Sequence, residues 1–373
     1  MKKIRDGHLR TWIEVERKAV AHNYRVFRRL VGLKVKLMAV VKSNGYGHGL
    51  VPFAKLLSRL GADWLGVDSM VEAERLREEG LIIPILVLGY TRPENFARAA
   101  FDQISLTIST PESLSAVGKF VRREPILGRQ LRLQLKVDTG MHRQGFLLAE
   151  FQKLQPVFKS RSWQGIYSHL AASEGKARPA TKAQIREFEN FLSRAPSRQL
   201  LKHLAATGGA LAYPEARFDL VRIGLGLYGL WPNQSLRRRF GSKIKLHPAL
   251  QWKTVISEVK ILPAGGRVGY DLTESVRPGT KLAVCPVGYW HGYPRALSGL
   301  GRVRIKNQWA KVIGRVSMDM ITVDVSRVNN ARVGDEVVLI GKGCPAEQLA
   351  QLAHTSNYEI VTRLNPLIER FYI

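Results

Sequence analysis

Eight short apolar runs, separated by helical patterns, constrain this chain more than any other feature. They cover residues 37–41, 64–67, 85–88, 104–108, 131–137, 165–169, 201–205 and 220–223. Runs of this length read as strands buried on both faces. Amphipathic stretches lie between most of them, at 51–60, 70–79, 93–100, 111–121 and 181–192. Asp68-Ser69 offers a cap for the second stretch, and Thr110-Pro111 places proline at a first helical position. Eight such strands over about 200 residues suit a closed parallel (β/α)8 barrel of the TIM type, with an open doubly wound sheet as the alternative. Near Leu246 the texture becomes short alternating runs, at 255–261, 281–284, 303–305, 310–316, 321–325 and 336–340, separated by Gly- and Pro-containing turns. That reads as a mostly antiparallel β domain. Trp12-Ile13-Glu14-Val15 is a strand that can join it, and a helix over 17–30 leads into the barrel. The expected division is 16–243 for the barrel and 1–15 plus 244–373 for the β domain.

Composition narrows the partners. Lys plus Arg is 58 against 30 acidic residues, giving +28. Such a balance invites a nucleic-acid reading. The cations are scattered, however, and the densest run is Arg237-Arg238-Arg239 near Lys243 and Lys245. No zinc knuckle or RNA-recognition signature accompanies them, so a solvated surface is expected rather than a specific nucleic-acid partner. The start is charged without a signal-peptide core, and no run is long and apolar enough to span a bilayer. Cys285 and Cys344 give no disulfide framework. A soluble cytoplasmic protein is expected.

Chemistry gathers just after the strand ends, at Lys42, Arg143, His169, Thr207 and Arg222. In a barrel those ends share one face, where active sites form. The run 37–41 delivers Lys42 to Ser43-Asn44-Gly45-Tyr46-Gly47-His48-Gly49. Burying an ammonium is costly unless something uses it, and a lysine so placed can form a Schiff base with a carbonyl. Gly45, Gly47 and Gly49 permit a sharp turn and close approach to a ligand. Arg222 interrupts Leu220-Val221-Arg222-Ile223, so it must face a partner, either a structural carboxylate or a ligand. Gly224-Leu225-Gly226-Leu227-Tyr228-Gly229 matches a dinucleotide fingerprint. Residues 243–247, about 20 positions on, lack the acidic residue such a site needs for the ribose, so a dinucleotide is rejected. Those glycines can still offer N–H groups to one phosphate. The histidines show neither an HExxH nor a Cys/His spacing, and no metal is expected.

The string from Leu37 to Gly49 resembles the cofactor motif of the alanine racemase family. Lys136-Val137-Asp138-Thr139-Gly140-Met141-His142-Arg143-Gln144-Gly145 is a second long match. Further blocks occur in family order: His203-Leu204-Ala205-Ala206-Thr207, Val268-Gly269-Tyr270-Asp271, Gly288-Tyr289, Gly314-Arg315-Val316-Ser317-Met318-Asp319 and Asn357-Tyr358-Glu359. The resemblance implies pyridoxal 5'-phosphate on Lys42, with Tyr46, Thr207, Gly224 and Tyr358 toward its phosphate. It places His169 on one face of the cofactor ring and Arg222 at the pyridine nitrogen, with His203 hydrogen-bonded to Arg222. Arg143 would bond the substrate carboxylate and the phenolic oxygen, and the backbone of Met318 would also hold the carboxylate. Lys136 falls where some members carry a carbamylated lysine.

Racemisation needs a base on each face of Cα. The resemblance assigns these to Lys42 and to Tyr270, the latter reaching the partner subunit's barrel, which implies a homodimer with shared sites. A tyrosine with an ordinary pKa near 10 needs help at neutral pH, and the His169–Arg222 pair could give it. Tyr289, Arg295 and Glu174 fall at the entrance. The chain departs from the family pattern at Ala206, Trp290-His291 and Glu174. The function implied is interconversion of L- and D-alanine for peptidoglycan. A broader racemase for serine or lysine is the main alternative, and a decarboxylase of the same fold is disfavoured by Arg222.

Overall fold

The computed structural model describes residues 9–151, 163–173, 178–195 and 199–373. Glu174 lies outside the described residues. Two compact units form: one holds Lys18–Gly45 and Leu50–His247, the other the segment ending at Arg17 with Tyr46–Gly49 and Pro248–Ile373. Strand β1 (Thr11–Val15) belongs to the second unit. The first contains β2 (Lys36–Val40), β3 (Trp64–Val67), β4 (Ile85–Val87), β5 (Ser105–Ile108), β6 (Arg132–Lys136), β7 (Gly165–Tyr167), β8 (Leu201–His203) and β9 (Leu220–Ile223).

Every pairing in this sheet is parallel, in the order β8-β7-β6-β5-β4-β3-β2-β9. The two end strands then meet. Lys202 N–H donates to the Asp219 carboxylate at 2.9 Å, Asp219 N–H to Lys202 C=O at 3.0 Å, and Arg222 N–H to Ala205 C=O at 3.0 Å. The sheet is therefore a closed (β/α)8 barrel, which excludes the open-sheet alternative. Met38, Trp64, Leu86, Tyr167 and Leu220 fill its interior as one apolar cluster. Side chains alternate along a strand, so Arg222 shares the inward face of Leu220, and Gln134 shares that of Lys136.

Local chemistry starts the helices. Ser69 caps Met70–Glu78 through the Glu72 N–H, and Thr110 with Ser113 forms a capping box on Pro111–Arg123. Helix Arg17–Val31 ends at Gly32, in the left-handed region at φ 75°.

The second unit carries a mostly antiparallel sheet of nine strands. β1 pairs antiparallel with Leu250–Val255 and parallel with Arg370–Tyr372. The stretch 255–261, expected as one strand, is two: Leu250–Val255 and Glu258–Leu262. At the junction Ile256 N–H turns to Asp335 C=O and Ser257 N–H to Val284 C=O, so the chain changes partners there. A hairpin of Gly266–Val268 and Glu274–Val276 carries Tyr270 in its loop. No helix among the described residues is long and apolar enough to cross a membrane.

Candidate active site

Lys42 lies two residues beyond β2, continuing the inward alternation of Met38 and Val40. Its Nζ donates to Asp68 Oδ1 at 2.7 Å, and the side chain is 35% exposed. It is half-buried beside a carboxylate, not buried alone as the sequence suggested. Asp68 follows β3, so two neighbouring strands deliver the pair to one end of the barrel.

The backbone after Lys42 is left-handed at Ser43, Asn44, Gly45 and Tyr46, with φ of 55°, 54°, 59° and 48°. Non-glycine residues pay about 1–2 kcal/mol each for this conformation. The turn is pinned: Gly45 N–H donates to Val41 C=O, Asn44 N–H to Glu72, and Leu50 N–H to Asn44 Oδ1. Tyr46 and Tyr358 follow in the β unit, with ring centroids 6.1 Å apart. Gly47 does not leave room for a ligand. It lies against the Val361 carbonyl, which a Cβ there would overlap.

Arg222, 3% exposed, is the hub of the barrel interior. Nη1 donates to His203 Nδ1 at 2.9 Å and His203 C=O at 3.2 Å. Nη2 faces Ser168 C=O at 2.7 Å, Leu204 C=O at 2.9 Å and His169 Nδ1 at 3.0 Å. These partners are three carbonyls and two imidazoles, so the carboxylate salt bridge weighed from sequence is absent among the described residues. The four Nη hydrogens are engaged, which leaves Nε–H for a further acceptor. Tyr167 lies under the guanidinium, 5.2 Å from its ring centroid, and under Lys136 Nζ at 5.3 Å. It also stacks on His203 at 4.6 Å, and its hydroxyl meets Thr107 Oγ1 at 2.7 Å. Sequence reasoning missed Asp68, Gln134 and Tyr167. The strict alternation Leu131-Arg132-Leu133-Gln134-Leu135-Lys136 is a signal that could have found Gln134.

The electrostatics follow from this crowding. Burial, then Arg222 and Arg143, pulls Lys136 down to about 7. Burial and then Arg222 hold His203 and His169 well below the usual imidazole range. Burial lowers Arg222 to about 10 and raises Tyr167 to about 12. At neutral pH the guanidinium is thus charged while both imidazoles and the phenol are neutral.

Asp138 is buried at the end of β6, where its Oδ1 accepts from the N–H groups of Gly140, Met141 and His142. That engagement leaves it bound to its own loop. Arg143 is exposed. The loop bends outward through Gly140, His142 and Gly145, all at positive φ, and returns at Phe146 to pair with Val137. Lys136 Nζ donates to Gln144 of the same loop at 2.7 Å. Thr207, 3% exposed, accepts through Oγ1 from Gly224 N–H at 3.1 Å and Gly226 N–H at 3.5 Å, leaving its hydroxyl proton to donate.

In the β unit Tyr270 is 70% exposed and Met318 55%. Tyr289 and Arg295 are also exposed. The loop around Met318 is packed from both sides. Gly269 lies against Arg315, and Gly288 against the carbonyls of Ser317 and Met318. Tyr270, Met318 and Tyr289 therefore belong to one continuous surface.

The barrel interior gathers Arg222 and Lys136 with only neutral partners, and Lys42 and Arg143 stand on the loops of the same unit. Such a site favours an anionic ligand, and Lys42 and Lys136 bring two amines to it. Comparison with known proteins gives the same direction. The sequence profile for the alanine racemase N-terminal domain matches residues 15–232, and that for the C-terminal domain matches 249–372. An alanine racemase of Symbiobacterium thermophilum is 39% identical over 98% of both chains. Alanine racemase 2 of Bacillus subtilis is 37% identical over 97% of this chain and 94% of its own. The crystal structure of the alanine racemase from Streptomyces lavendulae superposes with a TM-score of 0.89 at 33% identity, covering 98% of this chain and 97% of that one. The Bartonella henselae alanine racemase, solved with covalently bound pyridoxal phosphate, gives 0.87 at 26% identity, covering 98% and 100%. The chain belongs to the alanine racemase family.

Proposed function

We propose that this enzyme interconverts L- and D-alanine with pyridoxal 5'-phosphate held on Lys42, using two bases. The observation that carries the reading is Arg222: a buried guanidinium bound only to neutral groups, with Nε–H left over. The residues fit the group. Lys42 supplies an amine on a barrel loop, the Thr207 hydroxyl beside Gly224 supplies a donor for a phosphate, and the barrel interior supplies the Arg222 cation. Tyr46 and Tyr358 are the further phosphate ligands in this reading.

When bound, the cofactor acidifies the substrate Cα–H by taking up its electron pair. Arg222 stays protonated, so an acceptor opposite its Nε–H stays unprotonated. That limits how far the electron pair spreads and disfavours decarboxylation and transamination. Arg143 presents a planar fork to the substrate carboxylate and the cofactor's phenolic oxygen, and the Met318 N–H adds a second donor. Lys42 accepts or returns the Cα proton on one face. Tyr270 of a partner subunit does so on the other. His169, neutral and bonded to Arg222, is the group assigned to assist it. The exposure of Tyr270, Met318 and Tyr289 on one surface supports a homodimer with shared sites.

Lys136 is the candidate for carbamylation. With its pKa near 7, much of it is the neutral amine that adds to carbon dioxide, releasing one proton and forming a carbamate that would pair with Arg143. Tyr289, Arg295 and Glu174 are assigned to the entrance. Trp290, exposed beside Tyr289 and departing from the family pattern, favours a second reading with wider substrate range, including serine or lysine. Supply of D-alanine for peptidoglycan in the cytoplasm is the cellular role that fits.

The purified protein should show the long-wavelength absorption of a lysine-bound pyridoxal and should racemise alanine from either enantiomer, followed by polarimetry. Lys42→Ala should lose both. A wild-type protein with neither absorption nor α-proton exchange would sink the reading. Equal rates on serine or lysine would favour the wider racemase.

A further inference from the structure

We propose that Gln134 is a positioning residue that fixes the tautomer of His203 and thereby holds Arg222 in place. The inference rests on the reading of Arg222 given above. Gln134 is fully buried on the inward face of β6. Its Oε1 lies 2.7 Å from His203 Nε2 on β8, two strands away. The amide reaches that far because its neighbour in register on β7 is Gly165. A Cβ at Gly165 would stand 3.3 Å from both Cδ and Oε1 of Gln134 and 2.6 Å from Leu201 C=O. A side chain at Gly165 would crowd the amide and overlap the Leu201 carbonyl, so glycine leaves the bridge its path across β7.

The direction of each hydrogen bond is fixed from the Arg222 end. A guanidinium only donates, so His203 Nδ1 accepts from Nη1 at 2.9 Å. A neutral imidazole then carries its proton on Nε2, and Gln134 must answer with oxygen. The amide nitrogen of Gln134 is buried with no partner among the described residues. The side chain is thus held for its oxygen at the expense of its nitrogen. Without that acceptor, the ring proton could move to Nδ1, where it would oppose Arg222. His203 would then stop accepting, and the guanidinium would lose the contact that orients its plane. Tyr167 cannot substitute: it stacks on the ring face and offers no acceptor in the ring plane.

The test uses the full-length protein, selectively 15N-labelled at histidine, with His203 assigned by its loss in His203→Asn. In the wild type, with or without cofactor, Nδ1 should be the unprotonated nitrogen and Nε2 the protonated one. Gln134→Met keeps the volume and removes the acceptor. It should shift the His203 ring toward a tautomer mixture and lower kcat about 10-fold, the scale of losing a partner that orients a functional histidine, with KM changed less than about twofold. An Nδ1-protonated His203 in the wild type would overturn the proposal without reference to any variant. So would a Gln134→Met protein whose His203 shifts are unchanged, whatever its activity. Loss of racemisation in the wild type itself would count against the proposed function, while the tautomer measurement would still decide the role of Gln134.

Discussion

At Gly47 a single missing side chain decides how the segment after Lys42 packs. The residue is at φ 81°, and a Cβ would overlap the Val361 carbonyl. Gly47→Ala therefore combines backbone strain with a clash that two backbones would have to relieve. It should cost about 2–4 kcal/mol in denaturant unfolding. Gly32→Ala is the control: its φ is 75° but nothing lies within 4 Å, so only the left-handed cost of about 1 kcal/mol remains. Equal losses at the two positions would show that the Val361 contact does not matter. The same reasoning applies to Gly226, where a Cβ would overlap the Phe27 ring. The glycines that imitate a dinucleotide fingerprint thus include one required by packing. Sequence could mark these positions as special, but it could not say whether ligand or protein approaches them. Lys42 and Arg222 were easier to read, because each breaks or ends an apolar run. Gln134 and Tyr167 were not: alternation puts Gln134 on the face of Lys136, but which face points inward is set only when the barrel closes, and Tyr167 sits inside an apolar run.

At the scale of elements, the seam between β8 and β9 is the weakest link of the barrel. It lacks a continuous ladder and uses the Asp219 side chain to accept from Lys202 N–H at 2.9 Å. Asp219→Ala should lower stability by about 1–2 kcal/mol, the cost of one unmet hydrogen bond. Chemical denaturation monitored by circular dichroism would measure it, and an unchanged midpoint would mean the seam closes without that carboxylate. The barrel strands were legible because burial on both faces compresses them into apolar runs. The β unit was less so. The break at Ile256 and Ser257 depends on partners at Asp335 and Val284, far along the chain, and the exposed hairpin around Tyr270 has little hydrophobic pattern to detect.

At the scale of the whole molecule, one buried and one half-buried neutral imidazole link stability to pH. His203 and His169 resist protonation in the fold, whereas in the unfolded chain they titrate near the ordinary value of about 6.5. The unfolded state therefore binds more protons below that pH, and stability should fall as pH drops from about 7 to 5. Replacing His203 by Asn should flatten that part of the profile, measured as the denaturation midpoint against pH. The net charge of +28 is spread over the chain and should draw anionic substrates more strongly at low salt. Larger than any of these is the proposed division of labour between two bases on opposite faces of Cα, Lys42 from one subunit and Tyr270 of the partner subunit. The most direct test follows L-alanine and D-alanine by proton NMR in deuterium oxide, with wild-type protein and Tyr270→Phe. Wild type should bring both enantiomers to the same mixture with deuterium at Cα, while Tyr270→Phe keeps its cofactor absorption and loses racemisation. A Tyr270→Phe protein that racemises at the wild-type rate would rule out Tyr270 as the second base.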